Sequence, residues 1–115
     1  MSKEKQYFEP ARDLQQFGKI GEWQPDLAKK FFDYYGEATG TDGALSVREK
    51  SLIALAVAHA MQCPYCIDAY TDESIKQGAD EAQMMEAVHV AAVMKAGITL
   101  AYSTQMMKHA KAKLQ

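Results

Sequence analysis

The chain is 115 residues long, 48% hydrophobic and 24% charged, with a formal net charge of -2. That length describes one domain with a modest core, for which association between copies is a reasonable expectation. The slight acidity argues against general affinity for nucleic acid or anionic membrane, no apolar run reaches bilayer-spanning length, and the polar N-terminus lacks a signal region, so the expected location is cytoplasmic.

Residues 1–9 are polar apart from Tyr7 and Phe8 and read as a loose arm. From Pro10 to about Gly21, Leu14, Phe17 and Ile20 recur every three residues, which predicts a short helix with one apolar stripe. Gln24-Pro25-Asp26 opens a second helix, rich in aromatics at Phe31, Phe32, Tyr34 and Tyr35, that frays into a glycine-rich loop from Gly36 to Gly43. Ser46 and Glu49 form a capping box for a helix running to about Met61. That helix is apolar on every face, as a central helix is, and part of its surface suits cover by another subunit. Pro64 opens the next helix, which ends at Gly78. Asp80, with Gln83 three residues on, caps a helix carrying Met84, Met85, Val88, Val90, Val93 and Met94; Gly97 predicts a kink or break before a last amphipathic segment from Ile98 to Lys113. With no strand pairing and no internal repeat, the fold class is all-α over a single domain, residues 1–115.

Chemistry concentrates at Cys63-Pro64-Tyr65-Cys66. In a cytosolic chain two cysteines three residues apart point to redox or metal chemistry rather than a structural staple. Cys63 falls at the N-cap and Cys66 near N3 of the helix that Pro64 opens, where unpaired amides and the helix dipole lower a thiol's pKa from about 8.5. One thiol attacks and its partner resolves the product as an intramolecular disulfide. The bland alternative is a pair of small buried hydrophobes. Zinc needs four ligands and only two cysteines exist; His59 and His89 would have to complete the set. A vicinal dithiol also suits soft ions such as arsenite. The βαβ frame of a thioredoxin is absent.

The run from Leu45 to Ala58, the Cys63-x-x-Cys66 pair, Gly78, and the Asp80 cap with its Ala/Val/Met helix together resemble the alkylhydroperoxidase-D-like branch of the carboxymuconolactone decarboxylase family. The resemblance covers roughly residues 25 to 105. It implies an all-helical subunit forming dimers, trimers or hexamers, and thiol peroxidase or disulfide-reductase chemistry. In that family the second cysteine, here Cys66, is the one oxidised by peroxide, and the first, here Cys63, then forms the disulfide. Two positions depart. The family's glutamate, twelve residues before the first cysteine, is Ser51, and its histidine, four after the second, is Tyr70. Glu49 cannot substitute, lying about 200° around the helix from that position. Tyr70 can hydrogen-bond to Cys66, but a phenol of pKa about 10 is a poor base at neutral pH. The run from Val57 to Thr71 is further similar to peroxidase-like proteins associated with arsenosugar biosynthesis.

His59, one turn before Cys63, reads either as a base replacing the missing relay or as a buried histidine satisfied by a backbone carbonyl. Glu86-x-x-His89 echoes half of a di-iron motif but occurs once, so packing is the simpler reading. Asp68 is read as a first-turn charge complementing the helix dipole. The candidate catalytic residues are therefore Cys66, Cys63, His59 and Tyr70. The expected activity is a thiol-dependent peroxidase or disulfide oxidoreductase acting on a hydroperoxide or disulfide with an external thiol reductant. No cofactor is expected, because no phosphate-binding glycine loop is present. The rival reading is a non-catalytic dithiol protein that binds arsenite or zinc; a third is an assembly module that kept the fold and lost the chemistry.

Overall fold

The computed structural model describes residues 9–115, so the loose arm expected over residues 1–9 falls, but for Glu9, outside the described residues. Five helices follow in order: α1 (Pro10–Leu14), α2 (Pro25–Gly40), α3 (Val47–Ala60), α4 (Pro64–Lys76) and α5 (Glu81–Leu114), with a 3₁₀ segment, Phe17–Glu22, between the first two. No strand occurs among the described residues, and the all-α class holds.

Each of the last three helices starts on a side chain that satisfies its free amides. Ser46 Oγ accepts the Glu49 N–H at 3.1 Å while Glu49 Oε1 accepts the Ser46 N–H at 2.9 Å. Cys63 caps α4 through its sulfur. Asp80 and Gln83 form a second reciprocal box, at 2.8 and 3.0 Å. Two helix ends are Schellman turns. At the end of α4, Gly78 takes φ +86°, and the amides of Gly78 and Ala79 return to the carbonyls of Ile75 and Ser74, each at 2.9 Å. At the end of α3 the same geometry recurs on a residue with a side chain: Gln62 takes φ +54°, its amide reaches the His59 carbonyl at 3.1 Å, and the Cys63 amide reaches the Ala58 carbonyl at 2.9 Å.

Three helix boundaries depart from the sequence expectation. The first stripe of Leu14, Phe17 and Ile20 does not ride one helix. It divides between α1 and the 3₁₀ segment, where Gly18 and Gly21 weaken α-helical propensity. Helix α2 runs through Gly36 to Gly40, its last turns tied by Thr39 Oγ1 on the Tyr35 carbonyl at 2.7 Å and Thr41 Oγ1 on the Glu37 carbonyl at 2.9 Å. Helix α5 passes straight through Gly97, because one mid-helix glycine costs only about 1 kcal/mol and the cap at Asp80 and the long flanking runs outweigh it. With the break gone, α5 is long and apolar enough by length and composition to cross a bilayer, which corrects the expectation that no segment is. Asp68 lies beyond the first turn of α4, which holds no acidic residue, and its side chain faces solvent.

Helix α3 is central, as its all-round apolarity implied: it packs against α4 and α5, with α2 touching it as well. Lys95 Nζ on α5 donates to the Ala60 carbonyl at 3.0 Å and so pins the C-terminus of α3. The shared interior is small. Among the described residues only Leu55, Ala58, Ala79 and Ala91 are buried apolar side chains, and Ser51 and Ser74 are buried polar ones. The radius of gyration is 19.6 Å, against about 13 Å for a compact chain of this size. The chain is thus elongated. Much of α5 stands clear of the body, exposing Val93, Met94, Ile98, Leu100 and Met106.

Candidate active site

The turn between α3 and α4 sets the dithiol. Cys63 closes the Schellman turn of α3 and is at the same time the N-cap of α4, so both helices hold its backbone. Pro64 at N1 needs no amide partner and carries a φ already suited to the helix. Cys66 then falls at N3. Its N–H donates to Cys63 Sγ at 3.4 Å, and the two sulfurs lie 2.8 Å apart. Both are free thiols.

This geometry separates the two ionisations. A negative charge on Cys63 Sγ receives the Cys66 S–H first, then the Cys66 and Tyr65 amides, and the Cys63 pKa is lowered from 9.0. Cys66 is deeper. Burial, then its hydrogen bond to Cys63 and the charge there, pushes its thiol up to about 11. The pair therefore loses its first proton from Cys63, and Cys66 stays protonated as the donor.

A cavity of about 680 Å³ opens over the sulfurs. Cys63, Cys66, Ala69 and Tyr70 of α4 form one side, Phe31 and Tyr35 of α2 another. The Tyr70 and Tyr35 hydroxyls hydrogen-bond to each other. Burial raises the Tyr35 pKa above the usual phenol range, the Tyr70 hydrogen bond and charge adding to it, with Cys66 and Glu73 contributing further. The Tyr35 phenol thus stays protonated at neutral pH. The third side comes from α1 and the 3₁₀ segment, through Leu14, Phe17 and Ile20. Phe17 meets Phe32, Phe31 and Tyr35 edge-on, with ring centroids 5.1, 6.1 and 6.3 Å apart.

Of the four residues expected at the site, Cys63, Cys66 and Tyr70 meet around this cavity and His59 does not line it. His59 Nδ1 lies 2.8 Å from the Leu55 carbonyl of its own helix, the backbone-satisfied arrangement. Ser51, at the glutamate position, is buried and donates from Oγ to the Arg48 carbonyl at 2.6 Å. Glu49 is a cap. Glu86 and His89 are both exposed, and no group of three or more His, Cys, Asp or Glu side chains comes together among the described residues. Tyr35 and Phe17 are the site residues that sequence reasoning missed. The aromatic density of residues 31–35 was visible, but nothing in it distinguished a cavity wall from ordinary packing.

Residues 25–109 match the carboxymuconolactone decarboxylase family. An uncharacterized protein of the cox locus of Paracoccus denitrificans is 47% identical over 66 residues, 57% of this chain and 60% of that relative's length. An uncharacterized protein of Cupriavidus necator is 29% identical over 94 residues, covering 82% of each chain. Among solved structures, a protein from Methanobacterium thermoautotrophicum superposes with a TM-score of 0.70 at 31% identity, over 76% of this chain and 97% of that one. The apo form of a carboxymuconolactone decarboxylase family protein from Legionella pneumophila superposes with a TM-score of 0.67 at 31% identity, over 86% and 88%.

Proposed function

The chain belongs to the carboxymuconolactone decarboxylase family, and from that membership we propose that it is a thiol-dependent peroxidase or disulfide oxidoreductase working through a Cys63/Cys66 redox pair. The observation that carries the reading is the pair itself: two free sulfurs 2.8 Å apart at a helix N-terminus, beneath a cavity large enough for a substrate.

With a hydroperoxide, the Cys63 thiolate attacks the terminal oxygen, the O–O bond breaks, and Cys63 becomes a sulfenic acid. The leaving alkoxide takes a proton and departs as the alcohol. Cys66 then attacks the sulfenic sulfur, releasing water and forming the Cys63–Cys66 disulfide. With a disulfide substrate, Cys63 forms a mixed disulfide and expels one thiolate; Cys66 displaces the other. Either way two electrons leave the protein, and an external thiol reductant must return them. The family resemblance implies the opposite order, with Cys66 attacked by peroxide. The hydrogen-bond geometry supports Cys63 as the first nucleophile, since the charge resides there and Cys66 is held as its donor.

Positions 51 and 70 carry serine and tyrosine instead of the relay acid and histidine. The same dithiol without turnover would capture a soft ion such as arsenite, and one experiment separates the readings. Purified reduced protein receives a stoichiometric pulse of hydroperoxide, and thiols and mass are measured. Loss of two thiols and two mass units per chain is expected. Unchanged thiols, with arsenite still blocking both, would leave capture as the function.

The subunit is also proposed to assemble with copies of itself. The reason is the contrast between only four buried apolar residues among the described residues and an α5 surface carrying Val90, Val93, Met94 and Ile98 in the open. The proposed setting is cytosolic, where two cysteines three residues apart serve redox chemistry more often than they form a structural staple. Light scattering in aqueous buffer without detergent is expected to give a discrete oligomer; a requirement for detergent would point to a membrane instead.

A further inference from the structure

The family match begins at residue 25. The third wall of the dithiol cavity lies entirely before it, in α1 and the 3₁₀ segment. This short N-terminal element packs on α4 and α2, and Phe17 locks it to the aromatic row of α2. What it adds over the sulfurs is apolar: Leu14, Phe17 and Ile20. Its polar contributions are Gln16 and Asp13, whose Oδ2 accepts the Glu9 N–H at 2.9 Å. A carboxylate at the cavity edge repels anionic substrates, and carbon walls disfavour small, strongly hydrated ones. About 680 Å³ holds a molecule of drug-like size but not a folded protein partner.

The geometry points to residues 10–22 as a specificity element that selects small uncharged molecules whose apolar body, aryl or branched alkyl, is joined to a cleavable O–O or S–S bond. Phe17 is the central residue of that selection. For turnover this rests on the redox reading above; for binding it does not. Stacking of the ligand body against Phe17 and Tyr35 directs its reactive bond toward Cys63, and the chemistry is the two-electron sequence already given.

The test compares kcat/KM for cumene hydroperoxide with that for hydrogen peroxide, and for diphenyl disulfide with that for oxidised glutathione, which is charged. The wild-type protein is expected to prefer the apolar member of at least one pair by about tenfold or more. Phe17→Ala is expected to cut that preference about fivefold, chiefly through KM, and Phe17→Leu, a milder change for folding, about twofold. A binding arm needs no turnover: cumyl alcohol, the unreactive product, should slow iodoacetamide alkylation of Cys63. Protection by cumyl alcohol without oxidation by either substrate class would support the specificity element while overturning the redox reading. Equal kcat/KM within both pairs, with no protection, would overturn the specificity element while leaving the redox reading intact.

Discussion

Cys63 and Cys66 stand at the N-cap and N3 positions of α4, so the Cys66 amide donates to Cys63 Sγ at 3.4 Å while the two sulfurs lie 2.8 Å apart. One backbone turn thus makes the two thiols unequal. The outer sulfur is supplied with donors and the inner one is the more desolvated of the two, so a proton is lost more easily from the first than from the second.

Selective alkylation follows from that inequality. At pH 7 to 8 Cys63 is expected to react with iodoacetamide well ahead of Cys66, read by peptide mass spectrometry. Cys66→Ala removes the S–H donor that is the largest cause of the lowered Cys63 pKa. In that variant the Cys63 alkylation rate at pH 7 should fall about threefold to tenfold. Faster reaction at Cys66 in the wild-type protein would restore the order implied by the family resemblance.

The pH dependence of stability has a definite sign on the alkaline side. Cys66 holds its proton to about 11 in the folded chain against 9.0 ordinarily. A raised folded pKa gives stability that is fully present below the unfolded value and lost as pH rises through the folded one. The urea midpoint of reduced protein should therefore decline between about pH 9 and pH 11, with solvent exposure of the thiol moderating the slope. Cys66→Ala should flatten that limb. A midpoint equally steep in the variant would remove Cys66 as the cause.

Gln62 pays a conformational penalty where glycine would not. Its φ of +54° is the left-handed region, which costs a residue with a Cβ about 1–2 kcal/mol. Gln62→Gly relieves this and adds backbone entropy to the unfolded chain, for a net gain of about 0.5–1 kcal/mol. Gln62→Val should lose more than 1 kcal/mol by the same reasoning, as roughly the cost of a β-branched residue there. Chemical denaturation measures both.

Tyr70 tests whether the relay position still communicates with the thiols. Tyr70→Phe removes the partner of the Tyr35 hydroxyl and should cost about 1 kcal/mol. Tyr70→His places a base of pKa about 6.5 one turn after Cys66. Thiol oxidation by hydroperoxide at pH 7 should then rise about tenfold and gain a pH inflection near about 6.5. An unchanged profile would show that the position is silent in this chain.

How much was legible in the sequence depended on the range of the interaction. The Ser46 and Asp80 boxes, the Gly78 stop and the placement of Cys63 and Cys66 at N-cap and N3 all stand as read. Each is decided by hydrogen bonds spanning three to five residues. Gly36 and Gly97 suggest helix breaks that do not form, because propensity is a weak local preference that neighbouring turns override. His59 kept both readings open until its Nδ1 was seen on the Leu55 carbonyl.

The sequence by itself determined the helical class, the helix starts and the dithiol, because amide capping and apolar periodicity are short-range rules that the chain carries in its own order. Only the tertiary structure decided what surrounds the sulfurs. Tyr35 and Tyr70 are 35 residues apart and meet at their hydroxyls. Phe17 reaches the site only because the 3₁₀ segment folds back onto α2. Such contacts arise when helices pack to remove carbon from water, a non-directional force that leaves no local signature to read in advance.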